Sequence, residues 1–280
     1  MNAIEIKNLE KSYKEFKLDN INLTLPGGAI MGLIGENGAG KSTLIKLILD
    51  MISRDGGTIT VLGRDNREEF NITKEDIGVA FDEPGFSYCL TAREVGNIMA
   101  HTYKNWNDGE YYDNLRKMGI PDNKKFKEFS RGMKMKLQIA VALSHNARLL
   151  ILDEATSGLD PVVRDEILDM FADFTRDDEH SILMSSHIVS DLEKICDYIA
   201  FLHKGQLLLC EEKDTLREEY AIINVTNEQM AKLDGSEIKG RRITPYGAQV
   251  LVKRGAAPVG ADIGKVDIEE LFVFMAKEDK

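Results

Sequence analysis

Cysteine and tryptophan are scarce in these 280 residues, long apolar runs are missing, and positive charge is in deficit. Each shortage closes off a class of protein. Cys89, Cys196 and Cys210 are far apart, odd in number and without metal-ligand spacing, which speaks against a disulfide framework or a thiolate metal site and predicts buried free thiols. No apolar run approaches the roughly 18 residues of a membrane span. The start, Met1-Asn2-Ala3-Ile4-Glu5, has neither the basic region nor the apolar stretch of a secretory signal. A soluble globular chain that stays in the cytoplasm is the expectation. Lysine and arginine number 36 against 47 aspartates and glutamates, for a formal net charge of −11. That balance disfavours nonspecific attraction to nucleic acid or anionic lipid, so no nucleic-acid partner is expected.

What is present is ample core, 43% apolar residues, in a length that suits one large domain or two intimate ones. One stretch organises the rest. Gly35-Glu36-Asn37-Gly38-Ala39-Gly40-Lys41-Ser42-Thr43 fits the phosphate-loop pattern G-x-x-x-x-G-K-[ST]. The apolar run Ala29–Ile34 before it predicts a buried strand, and Thr43–Leu49 after it has helical spacing. Glycines let such a loop wrap a polyphosphate with its N–H groups pointing inward, and the helix end adds positive partial charge. Lys41 is placed to reach the β- and γ-phosphates, the Ser42 hydroxyl to ligate Mg²⁺, and the Thr43 hydroxyl to add a phosphate hydrogen bond.

Before the loop, Ile4-Glu5-Ile6 and the stretch through Leu18, Ile21, Leu23 and Leu25 predict two strands, with Tyr13 between them as either a base-stacking ring or ordinary core or surface. After it, Thr58–Leu62 and Ile77–Phe81 predict strands. The second ends at Asp82-Glu83-Pro84-Gly85, whose carboxylates either meet a ligand at the strand's carboxyl end or simply form a turn. From Thr91 to about Asn146 the pattern is helical. Near its end, Ser130-Arg131-Gly132 opens a helix beside Lys124, Lys125, Lys127, Lys134 and Lys136, either an anion-facing surface or an N-cap with solvated lysines. Leu149–Leu152 predicts a buried strand running into Asp153-Glu154. Adjacent carboxylates there rarely serve packing, since uncompensated charge burial is costly. Given the phosphate loop, Asp153 is assigned to the Mg²⁺ shell and Glu154 to the attacking water as general base. A final strand, Ser181–Ser185, leads to Ser186-His187, where His187 is either structural or a γ-phosphate contact.

Phosphate loop, Ser-Arg-Gly-Met, Leu-Leu-Ile-Leu-Asp-Glu, Ser157-Gly158-Leu159-Asp160 and Ser186-His187, in this order and spacing, together resemble the nucleotide-binding subunit of an ABC transporter. The resemblance covers roughly residues 1–220. It implies an α/β P-loop NTPase with a RecA-like, mostly parallel sheet, an antiparallel β element, a helical subdomain at about 89–146 and a small C-terminal α/β appendage. It also implies ATP with Mg²⁺ as ligands and two such subunits, identical or different, paired head to tail. A separate membrane permease would be the further partner, with the chain peripheral on the inner face of the cell membrane. By the same resemblance Tyr13 stacks on adenine, Ser130, Arg131 and Gly132 face the partner's ATP, and His187 is the switch histidine.

Three positions depart from the family pattern. Asp82 stands where a glutamine usually senses Mg²⁺, Arg131 and Met133 replace the usual Gly and Gln, and Ala155 replaces a common Pro. The single domain, the acidic residue at 82 and the Ser-x-Gly-Met-Lys segment resemble bacterial bacitracin, lantibiotic-resistance and peptide-toxin exporters. A soluble ABC-type ATPase in cytoplasmic assembly, without a membrane partner, is the alternative, and a non-hydrolysing binder is disfavoured by the presence of Lys41, Asp153, Glu154 and His187. Residues 221–280, with strand-like Ile222–Val225 and Ala248–Val252 and an amphipathic helix from Ile268 to Met275, read as an accessory subdomain that either packs on the core or dimerises and regulates.

Overall fold

The structure is a computed structural model describing residues 1–68, 73–82, 85–230, 233–245, 247–258, 261, 263–264 and 266–277. Glu83 and Pro84 of the expected turn lie outside the described residues. Among those described, the strands form three sheets.

The central six-stranded sheet is built around β3 (Ile30–Ile34), with β8 (Ser181–Ser186), β7 (Leu149–Asp153) and β6 (Ile77–Phe81) on one side and β9 (Tyr198–His203) and β10 (Gln206–Glu212) on the other. All its neighbours pair in parallel except β9 with β10. Strands β3, β7 and β8 are buried throughout, as expected of parallel strands covered on both faces. Their side chains alternate between two cores. Ile30, Ile34, Leu150, Leu152, Ile182 and Met184 enter one; Met31, Leu33, Ile151 and Leu183 enter the other.

The second core is closed by an antiparallel sheet in the order β2 (Lys17–Pro26), β1 (Asn2–Ser12), β4 (Gly56–Val61), β5 (Arg64–Asp65), and by helix α1 (Lys41–Ile48). Helix α1 buries Leu44, Ile45, Leu47 and Ile48 there, each side chain contributing about 1.5–3 kcal/mol. The first core is covered by helices with legible starts. Helix α2 (Ala92–Thr102) opens with a Thr91–Glu94 capping box, α3 (Asp108–Lys117) is capped by Asn107, and α4 (Arg131–Leu143) by Ser130. Helix α5 (Pro161–Phe174) combines an Asp160 cap with proline at its first position, and α6 (Val189–Ile195) follows β8.

Beyond α7 (Lys213–Glu219), β11 (Tyr220–Val225) is flanked by β13 (Gly247–Lys253) and β14 (Ile263–Gly264), and β12 (Ile238–Thr244) pairs with β13. Strand β11 faces two ways. Ala221, Ile223 and Val225 form a small core with Val250 and Val252, while Ile222 joins the main core with Leu251 and with Leu271 and Phe274 of the last helix. That helix, α9 if the short α8 (Asn227–Met230) is counted, spans Ile268–Ala276; its Phe272 meets Phe201 edge-on at 5.3 Å. The expectation for cysteine needs correction. Cys196 is buried and its thiol pKa pushed up by that burial, Cys210 is half-buried, but Cys89 is exposed beside Ser87. It lies on a connecting segment before α2, where no strand or helix face turns it inward.

Candidate active site

The strand register assembles the site. Phe81 pairs with Asp153, Asp153 with Ser185, and Leu33 with Ser185, so the carboxyl ends of β6, β7, β8 and β3 lie level. The residues that follow, Asp82, Glu154, His187 and Gly35, therefore leave the sheet on one rim, where open α/β sheets hold ligands. The phosphate loop rises from β3 and ends at Gly40, whose φ of 111° places it in the left-handed region just before α1. The conformation demands glycine; a Cβ at Gly40 would also stand 2.7 Å from Phe16 Cζ and 2.7 Å from Leu18 Cδ2, the ends of two side chains that would have to shift.

Lys41 is 6% exposed. Its ammonium donates to Gly35 O at 2.6 Å and lies 3.5 Å from Glu154 Oε1, so the buried cation has a carboxylate partner. Glu154 has φ 55°, uncommon for a residue with a side chain and costing about 1–3 kcal/mol. The conformation is held from behind, because its N–H donates to Ser185 O at 3.2 Å and Ser185 Oγ at 3.1 Å. Its other carboxylate oxygen accepts from His187 Nδ1 at 2.6 Å. A carboxylate only accepts, so Nδ1 carries the proton, and in the neutral ring Nε2 is left as an acceptor. Asp153 is 8% exposed and accepts from Ser185 Oγ at 2.6 Å, which fixes one oxygen and leaves the other unassigned.

Lys41, Glu154 and His187 face a cleft of about 390 Å³, which the buried Asp153 does not line. Of the residues expected from sequence, Asn37, Gly38, Gly40, Lys41, Ser42, Thr43, Asp82, Glu154 and His187 line it. Gly35 and Ala39 are buried beneath the loop. Tyr13 is 49% exposed with Lys11 Nζ 5.5 Å from its ring centre, and it is not among the lining residues. Ser130, Arg131 and Gly132 stand outside the cleft, although Arg131 is hydrogen-bonded to Asp82 on its wall. The lysines near α4 do not line it either; Lys134 lies over the Tyr88 and Phe126 rings and Lys136 pairs with Glu166 at 2.8 Å. A larger groove of about 740 Å³, among α3, α4 and α5, holds none of the expected site residues. Sequence reasoning missed Phe16, Glu36 and Ser157 as lining residues. Glu36 and Ser157 lie inside motifs already singled out, whereas Phe16 carried no periodic signal.

A family model described as ABC transporter matches residues 18–157. The chain belongs to the ABC transporter family. Among relatives, it is 36% identical over 215 residues to the lantibiotic transport ATP-binding protein SrtF of Streptococcus pyogenes, covering 75% of this chain and 91% of that one. It is 36% identical over 209 residues to the bacitracin transport ATP-binding protein BcrA of Enterococcus faecalis, covering 74% and 68% respectively. A solved ATP-binding subunit of an ABC transporter superposes with a TM-score of 0.70 at 27% identity, over 77% of this chain and 92% of that chain. The fold is accordingly that of an ABC cassette, a P-loop NTPase, and the chain is an ABC-family ATPase. No described helix of this cassette is long and apolar enough to cross a membrane.

Proposed function

We propose that the cleft binds ATP with Mg²⁺ and that Glu154 is the general base for its hydrolysis, with Lys41 contacting the phosphates and His187 donating to them from Nε2 when that nitrogen is also protonated. The observation that carries this reading is the Glu154 carboxylate itself, set between Lys41 Nζ at 3.5 Å and His187 Nδ1 at 2.6 Å on the floor of the phosphate loop. A carboxylate so held has its proton-accepting face fixed, and its two neighbours are groups that can follow negative charge on a γ-phosphate. Loop N–H groups from Gly38 to Thr43 cradle the phosphates, and the exposed Tyr13 ring, which does not line the cleft, is the group proposed to stack on adenine.

The donor set suits magnesium. Among the described residues no three His, Cys, Asp or Glu side chains cluster to hold a metal alone, and Mg²⁺ typically takes one or two carboxylates, waters and substrate phosphates. Ser42 and Asp153, with Asp82 on the wall, are the residues proposed to hold it. Bound there, it would supply charge neutralisation at the phosphate oxygens.

The cleft has Lys41 as its ammonium, while Ser130–Gly132 does not line it and meets it only where Arg131 bonds to Asp82. This supports a head-to-tail pair, from identical or different chains, in which the α4 start of one faces the nucleotide of the other. We divide the chain functionally into the ATPase unit 1–220, with its helical subdomain at about 89–146, and an accessory unit 221–280. The likeness to SrtF and BcrA supports a separate membrane permease at the inner face of the cell membrane and export of a peptide antibiotic or similar amphipathic cargo. Turnover per chain measured across a dilution series tests the pairing. It should fall as dimers dissociate, and a high turnover independent of dilution would remove the composite site. Co-purification with a multi-span membrane protein tests the transport role.

A further inference from the structure

Two of the positions at which the sequence departs from the ABC pattern touch each other. The Arg131 guanidinium, at the first residue of α4, donates to Asp82 Oδ1 just beyond β6. It also rests on the turn after Glu154, since a Cβ at Gly158 would stand 2.4 Å from Arg131 Nη1 and 2.8 Å from Cζ. One side chain thus joins three segments 131, 82 and 158 of the same chain. Stability does not account for it, because the two side chains are 52% and 49% exposed and such surface pairs contribute about 0–1 kcal/mol.

The charge around the cleft does. Among the described lining residues, Glu36, Asp82 and Glu154 are carboxylates and Lys41 is the lone lysine or arginine, with Asp153 buried just behind. A polyphosphate entering this cleft meets a surplus of negative charge before any metal is counted. We propose that Arg131 is a positioning residue for the nucleotide site, which holds the Asp82 carboxylate on the cleft wall and cancels its charge, so that Asp82 and Arg131 act as one neutral unit. The inference rests on the reading of the cleft as the ATP site. The guanidinium lies between Asp82 and the Gly158 turn, so its charge is set beside this one carboxylate.

The test is equilibrium binding of ATP to the full chain in excess EDTA and in saturating Mg²⁺, read as the ratio of the two dissociation constants. Arg131→Gln should weaken metal-free binding and raise this ratio about fivefold, because an unpaired Asp82 repels the bare polyphosphate but not the metal-neutralised one. Asp82→Gln should tighten metal-free binding, and Asp82→Gln/Arg131→Gln should return the metal-free dissociation constant to within about twofold of the parent. A role in packing alone predicts equal weakening in both conditions. An unmoved ratio in Arg131→Gln, or no recovery in the double variant, overturns the proposal. Should Arg131→Gln not fold, Asp82→Gln decides through its dissociation constant in EDTA alone, where the role proposed for Asp82 at Mg²⁺ does not enter: a constant below the parent's supports the pair and an unchanged one overturns it. A parent that binds no ATP in either condition sinks the reading of the cleft itself and the pair with it, whereas a parent that binds, with the Arg131→Gln ratio unmoved, sinks the pair alone.

Discussion

The phosphate loop and the Ser130–Gly132 segment are both glycine-bearing helix starts, yet the glycines answer to different surroundings. At Gly40 the chain itself imposes the requirement, through a φ of 111°, and a side chain there would also displace the ends of Phe16 and Leu18. At Gly132 it imposes none. The backbone is helical, and an added Cβ would meet Leu159 Cδ2 at 3.5 Å and Val163 Cγ1 at 3.8 Å, ordinary packing distances. Alanine there would even favour the helix by about 0.5–1 kcal/mol. One glycine is a demand of the fold; the other answers to none within the chain, and only the proposed pairing with a second protomer would give it one.

Gly40→Ala should give the largest effect and strike fold and binding together. Strain and overpacking predict a loss of roughly 2–5 kcal/mol in urea unfolding, with ATP binding abolished. A variant with parental stability would erase the contrast from this side. Glu154→Gln comes next. Turnover should drop about 100-fold or more while ATP binding is kept, and ATP should then hold the paired form long enough to see by sedimentation. Parental turnover would remove Glu154 as the base. Gly132→Ala is the sharpest probe of the comparison. It should melt at or slightly above the parental temperature yet lose about tenfold in turnover and in ATP-dependent pairing. If turnover holds, no outside surface needs that glycine. Smallest is Tyr13→Ala, expected to weaken ATP binding by about 1–3 kcal/mol, as measured by calorimetry, with little change in the chemical step. Unchanged affinity would leave the exposed ring without a role.

Much of this was legible in one dimension. The strand–loop–helix unit at Ile30–Ile48, the Asp153-Glu154 pair and the β8–His187 end all carry local signals, namely continuous apolar runs closed by residues that packing does not favour. The hairpin β9–β10 went unassigned, although Ile199–Leu202 is an apolar run and Lys204-Gly205 a turn. Its turn lacks the Asn-Gly or Asp-Gly signature, and β10 is only half-buried, so its alternation is blurred. The contacts that give the site its chemistry join residues tens of positions apart: Lys41 with Glu154, Phe16 with Gly40, Arg131 with Asp82. No periodicity encodes such meetings. They follow from register and topology, which only the assembled sheet supplies. The same holds for the tail, where Ile222 of the two-faced β11, with Leu251, Leu271 and Phe274, packs into the main core.

The level strand ends also work as a ruler. Asp153, the last residue of β7, lies opposite Ser185, and Glu154 is the first residue past the strand's end. A strand advances about 3.3 Å per residue and turns each successive side chain to the other face. Deleting a single residue within Leu149–Leu152 would therefore slide Glu154 into the buried mark held by Asp153 and draw Ala155 up to the rim. The two carboxylates would still be adjacent in the sequence, and the hydroxyl of Ser185 would still be waiting, but for the wrong one. Side chains along β7 can be exchanged for others of similar volume; the number of residues cannot change.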